Sequence, residues 1–291
     1  MIRAAAVLLL AATPALAGPP AVLADIAPVQ GLAQLVMGDL GTPGLIVPPG
    51  TSPHDASLSP SEARALTQAD VIVRTGDALL PWLGEGIASL APQARVLDLL
   101  ATPGWTPLPA SGPEHDDHDH GAIDPHAWLD PAVAAAWLPA IAATLSEADP
   151  ENAATYAANA TREADRLRAL ARTLRDRLQP LRGSGLATGH DSLRYFARAA
   201  ALPPPRALSG LDGAAPSPSA VAALRESVQS GEIRCLLLDP ETDPAWADTL
   251  AEGATLRTAT VDPEGVTLPP GPQLYPLLIE SLAAAVEGCL K

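Results

Sequence analysis

The chain has 291 residues, 47% of them hydrophobic, and a formal net charge of −15. That is enough apolar material for a sizeable buried core in one large domain or two, and it excludes a disordered chain. So acidic a balance disfavours nucleic acid and anionic membrane surfaces as partners, and its plainest use is solubility.

Residues 1–17 open with Arg3, continue through an apolar stretch over 4–10 and reach Ala15-Leu16-Ala17, a small-x-small cleavage pattern. They read as a signal peptide cut after Ala17. Cleavage removes one base, Arg3, and no acid, which takes the −15 to −16. The apolar stretch falls short of the ~20 residues of a membrane span, and no later stretch is read as long enough. No cysteine directly follows the cleavage site, so a lipid anchor is not expected. The expected location is the periplasm of a Gram-negative cell.

Beyond residue 18, short β-branched runs alternate with longer Ala/Leu-rich segments. Strands are expected over 22–26, 45–47, 71–75 and 95–99, with helices over 31–38, 61–69 and 78–90. The second half repeats the pattern, with strands over 185–187, 233–238 and 256–261 and helices over 192–201, 218–228, 244–252 and 272–290. This βα alternation implies an α/β fold of two lobes with parallel sheets, 18–148 and 183–291. Between them, Asp149 as N-cap and Pro150 at the first helical position open the longest helical pattern, 149–182. Its apolar stripe of Ala160, Leu167, Leu170, Leu174, Leu178 and Leu181 suits one rigid helix lying against both lobes and limiting their opening.

The six histidines fall in four places: His54; the run Glu114-His115-Asp116-Asp117-His118-Asp119-His120; His126; and His190. The run follows a stretch with Pro107, Pro109, Gly112 and Pro113 and reads as a loop. Three imidazoles among four carboxylates go beyond what a solvated face needs. His115, Asp116, His118, Asp119 and His120 are therefore expected to bind metal weakly. His54, His126 and His190 each sit beside Pro or Asp at an expected strand-to-helix turn, where parallel sheets bind ligands. Asp130 is placed to cap the helix that follows His126. Singly each histidine reads as an ordinary turn residue; jointly they point to a transition-metal site, with zinc the first choice.

Two cysteines remain, Cys235 in an apolar strand pattern and Cys289 near the end of the terminal helix, so one intramolecular bridge is possible in an oxidising compartment. A thiolate metal site is the alternative, weakened by the absence of a C-x-x-C spacing or a nearby histidine.

The segments Pro48-Pro49-Gly50-Thr51-Ser52-Pro53-His54-Asp55, Leu58-Ser59-Pro60-Ser61, Ala69-Asp70-Val71-Ile72-Val73, Asp124-Pro125-His126-Ala127-Trp128-Leu129-Asp130-Pro131 and Gly189-His190-Asp191-Ser192-Leu193-Arg194-Tyr195-Phe196 together resemble the periplasmic zinc-binding proteins of zinc ABC importers, within a larger family of metal-binding solute proteins that also serves manganese. The resemblance spans the chain beyond residue 17 in order. It implies a metal in the cleft between the lobes, with His54 and His126 from the first lobe and His190 from the second. Asp262, in Val261-Asp262-Pro263-Glu264, occupies the place of a fourth ligand; water or a carboxylate of the acidic loop are alternatives. Two departures are Ala56, where an aromatic is common, and Gly189, inserted before the third histidine.

Three neutral imidazoles and a carboxylate suit Zn²⁺ better than Mn²⁺, which prefers more oxygen. Because imidazole binds metal deprotonated, affinity is expected to fall below about pH 6. The resemblance implies a non-enzymatic, monomeric carrier that delivers Zn²⁺ to a membrane permease, with a periplasmic metallochaperone as a further possible partner. A periplasmic zinc hydrolase is the rival from another class, without an H-E-x-x-H motif to support it. A zinc buffer or adhesin with the same site is a third reading.

Overall fold

The structure is a computed structural model, and it describes residues 18–54, 56–110, 123–211, 213–240 and 242–291. The expected signal segment and the loop carrying His115, Asp116, His118, Asp119 and His120 lie outside these residues.

Three of the first four strands are short runs rich in Val, Leu and Ile, which pack well on both faces of a covered parallel sheet. The strands β1 (Val22–Ala24), β2 (Gly44–Leu45), β3 (Val71–Arg74) and β4 (Arg95–Asp98) form a parallel sheet in the order β2-β1-β3-β4. Helices α1 (Ala27–Met37), α2 (Pro60–Leu66), α3 (Pro81–Leu90) and α4 (Pro131–Ala148) accompany it. A second parallel sheet repeats the topology, with β5 (Gly185–His190), β6 (Arg206–Ser209), β7 (Ile233–Leu238) and β8 (Arg257–Thr260) in the order β6-β5-β7-β8. Its helices are α6 (Arg194–Ala200), α7 (Pro218–Gln229), α8 (Ala245–Ala251) and α9 (Leu274–Leu290). In each sheet the central strand, β1 or β5, is flanked by strands that follow it on opposite sides. The chain direction switches there, and the carboxyl ends on either side of the switch form a natural crevice.

The connecting helix α5 (Ala153–Leu178) is extended at both ends by single 3₁₀ turns, Pro150–Asn152 and Gln179–Leu181. Its 26 residues span about 39 Å at 1.5 Å per residue. Ala160, Leu167, Leu174, Leu178 and Leu181 are buried along one face, while Leu170 packs at its margin. The helix lies on α1 and α4 of one lobe and on α6 and α9 of the other. Asp149 does not cap it as expected. Its carboxylate instead accepts from the Asn152 side-chain amide at 2.7 Å and the Tyr156 hydroxyl at 2.8 Å, which ties the corner between α4 and α5.

Two further expectations are corrected. The strand β6 was not foreseen: its sequence, Arg-Ala-Leu-Ser, has no β-branched residue, and only Leu208 is buried in this edge strand. By length and composition α4 is long and apolar enough to cross a membrane, against the expectation that no later segment is. Half of its residues, Trp137, Leu138 and Ile141 among them, are buried within the protein, as in the core helix of a globular fold. Asp130 caps α4 as expected, accepting the Ala132 amide at 2.9 Å.

One apolar core runs through both lobes. It gathers Val71, Ile72 and Val73 of β3, Trp137 and Leu138 of α4, Leu174 of α5, Cys235 and Leu237 of β7, and Leu278 and Leu282 of α9. A smaller cluster, with Leu208, Leu224, Ile233, Leu236 and Leu250, covers the other face of the second sheet. The bridge Cys235–Cys289, with Cα atoms 5.7 Å apart, pins α9 to β7.

Candidate metal centre

His54 sits in the loop between β2 and α2. Gly50, at φ +84°, makes a turn that L side chains rarely adopt, and Ser52 Oγ accepts the His54 amide at 3.2 Å. A reciprocal capping box between Ser59 and Glu62 starts α2 and ends the loop. Ala56, just beyond His54, is buried in the apolar core.

His126 enters from a turn before the 3₁₀ segment Ala127–Leu129. Asp124 shapes that turn: its Oδ1 accepts the His126 amide at 3.0 Å and lies 2.9 Å from His126 Nδ1. In the sequence Asp124 shows only as the first residue of the motif Asp124-Pro125-His126, with no role of its own. His190 is the last residue of β5, and its Nδ1 lies 2.8 Å from Asp239 Oδ2, one residue beyond β7. Histidine and aspartate thus occupy the carboxyl ends of adjacent strands at the switch point of the second sheet. Asp239 was missed in the sequence, although Asp239-Pro240 repeats the Asp-Pro of Asp124-Pro125.

With Nδ1 engaged by a carboxylate, each of these two rings keeps its tautomer and turns Nε2 inward, the arrangement by which a metal-binding imidazole is oriented. The two Nε2 atoms are 3.4 Å apart. A tetrahedral zinc with bonds of about 2.0–2.1 Å holds its nitrogens about 3.3–3.4 Å from one another. One ligand atom each from His54, His126 and His190 lies within 4.8 Å of the other two. His126 and His190 are only 2% and 4% exposed, and His54 is half-buried at the mouth. His54 and His190 border a cleft of about 760 Å³ with Ser52 and Leu79 on one wall and Pro240 and Val266 on the other, and His126 lies buried behind them.

Asp262 lines this cleft but is not part of the three-histidine group. Its carboxylate accepts from the Val266 amide at 3.1 Å, the Thr267 amide at 2.8 Å and the Thr267 hydroxyl at 2.6 Å. Gly189, the inserted residue, has a tight neighbour. A Cβ placed on it would lie 2.6 Å from Thr242 Cβ and closer still to Thr242 Oγ1. Thr242 Oγ1 in turn donates to Asp239 Oδ1 at 2.7 Å. The glycine makes room for the residue that steadies the aspartate that orients His190.

Burial keeps His126 neutral, pushing its pKa from 6.5 to about 4 against the pull of Asp124, with His190 and His54 adding to the depression. His126 therefore stays deprotonated below pH 6. Burial drives the Asp239 carboxyl up, but the hydrogen bonds from His190 and Thr242 outweigh it and hold the group below the usual carboxylate range.

Solved structures share the fold. The laminin-binding protein Lmb of Streptococcus agalactiae, described as bifunctional with adhesin and metal-transporting activity, superposes with a TM-score of 0.79 at 21% identity, over 94% of this chain and 99% of that one. A zinc-bound variant of AdcAII from Streptococcus pneumoniae gives 0.78 at 23% identity, over 94% and 99%. At the sequence level, the profile of the zinc-uptake complex component A, periplasmic, matches residues 22–289. The high-affinity zinc uptake system protein ZnuA of Paracoccus denitrificans is 37% identical over 98% of this chain and 96% of its own length. The chain belongs to the ZnuA family.

Proposed function

We propose that this protein captures Zn²⁺ in the periplasm and delivers it to the membrane permease of an ABC importer, with His54, His126 and His190 as ligands. The observation that carries the reading is the convergence of three imidazole nitrogens within 4.8 Å across the cleft, two of them oriented by buried carboxylates. The donor chemistry favours zinc over manganese. Asp262 is the proposed fourth ligand, with water or a loop carboxylate as alternatives. Were it to bind metal, its carboxylate would exchange bonds to Val266 and Thr267 for the ion.

In this reading the protein performs no chemical conversion. Asp124 and Asp239, the buried carboxylates beside the rings, are engaged by imidazole and are not placed as a general base for a metal-bound water. Residues 1–17 direct export and are removed. His115, Asp116, His118, Asp119 and His120 bind zinc weakly and gather it for the protein. The carrier acts as a monomer, and a periplasmic metallochaperone is a candidate donor.

The test is a titration of demetallated protein with Zn²⁺ and Mn²⁺ against a chromophoric chelator, beside His190→Ala. One tight zinc equivalent that outcompetes manganese and is lost in the variant is the expected result. Tight binding untouched by the substitution, or a preference for manganese, defeats the assignment.

A further inference from the structure

The helix α6 starts four residues after His190 and belongs to the second lobe, yet three of its side chains reach into the first. Arg194 Nη1 donates to the carbonyl of Pro109 at 2.7 Å, the Tyr195 hydroxyl accepts the Leu108 amide at 2.8 Å, and Arg198 Nη1 donates to the carbonyl of Thr106 at 2.8 Å. Arg198 also pairs with Asp130 at 3.1 Å. Of these residues only Arg194 continues to the metal centre, because its Nη1 lies 3.5 Å from Oδ2 of Asp124. Asp124 is fully buried, and its other oxygen holds the His126 ring.

We propose that Arg194 is a positioning residue for the metal, acting from the second lobe through Asp124 on His126 of the first. This rests on the zinc-capture reading above. A buried carboxylate that loses its cationic neighbour is left poorly compensated, and it turns away at the expense of the bond that aims the ring. The placement also couples the two halves of the site. His190 and Arg194 lie on one rigid strand-to-helix unit, so any motion that draws His190 from His126 also draws Arg194 from Asp124. Metal release then requires both contacts to break together, and Arg194 slows it.

The experiment follows zinc release from the loaded protein into excess chelator by stopped flow. R194Q is expected to release zinc about tenfold faster, the low end of what loss of an outer partner of a metal ligand costs. R198Q, one turn along the same helix and bonded to the same segment but not to Asp124, is expected to release at close to the parental rate. In a D124N background, R194Q is expected to add nothing. An unchanged rate in R194Q, an equal acceleration in R198Q, or additive effects in D124N would each overturn the proposal. Should R194Q not fold, R194K decides. Its single ammonium keeps the charge but cannot serve Pro109 and Asp124 together, so faster release is expected, and the parental rate is contrary. A parental protein that takes up no zinc defeats the capture reading instead.

Discussion

Gly189 shows how much one missing side chain decides. Thr242 occupies the space a Cβ would need, and Thr242 holds Asp239, which holds His190. Gly189→Ala is therefore expected to weaken zinc binding about tenfold, in the range found when an outer partner of a ligand is disturbed. Chelator competition reads this, and Thr242→Ala should produce a loss that does not add to it. His126 carries the second residue-scale consequence. Its folded pKa of about 4 lies below the unfolded 6.5, so between those values the unfolded chain binds a proton that the native protein does not. The stability it contributes is complete above pH 6.5 and is lost as pH falls toward about 4. Burial acts in the opposite sense on Asp25, raising its pKa to about 6 against hydrogen bonds from Thr75 and Ile26. The comparison is thus between parent and His126→Gln, both metal-free, in which Asp25 cancels. Urea unfolding at pH 7, 5.5 and 4.5 should show a shallower decline with acidity in the variant; parallel curves would refute the assignment.

Among the elements, the strands built of Val, Ile and Leu and the long amphipathic helix were legible because their burial follows a local period. Leu167, Leu174 and Leu178 are buried at the helical spacing that the sequence shows. The strand β6 was not legible, since Arg206-Ala207-Leu208-Ser209 forms a strand only because β5 offers its edge. Nor was the use of Asp149, whose partner Tyr156 comes into reach only once the helix has formed. The bridge between β7 and α9 closes a loop of 54 residues. Loop-closure entropy alone makes it worth about 4 kcal/mol. The double variant Cys235→Ala/Cys289→Ala should lower unfolding stability by about 2–5 kcal/mol in urea, and reduction of the parent should approach the same value.

At the scale of the whole molecule, the lobes share one core and do not merely flank a helix. Trp128, two residues after His126, donates its indole N–H to the carbonyl of Pro263 at 2.9 Å and accepts the Tyr275 hydroxyl at its own carbonyl at 2.6 Å. These buried bonds tie the turn that carries His126 to the second lobe, on the side of the cleft where Asp262 sits. A connector of one rigid helix plus a continuous core leaves little room for wide opening. Tyr275→Phe removes the donor to a buried carbonyl and is expected to cost about 1–3 kcal/mol in urea unfolding. A neutral result would mean that water replaces the hydroxyl and that the lobes separate more freely there.

The sequence by itself determined the α/β alternation, the connecting helix, the cysteine pair and the three histidines. Each of these is a local pattern, a composition or a short motif that depends on neighbours in the chain. Only the tertiary structure decided which side chains stand behind these histidines. Asp239 is 49 residues from His190, and Arg194 is 70 from Asp124. No periodicity encodes such pairs. They arise because two parallel sheets bring the carboxyl ends of their strands to one cleft, and because burial there makes an unpartnered carboxylate or imidazole too costly to leave alone.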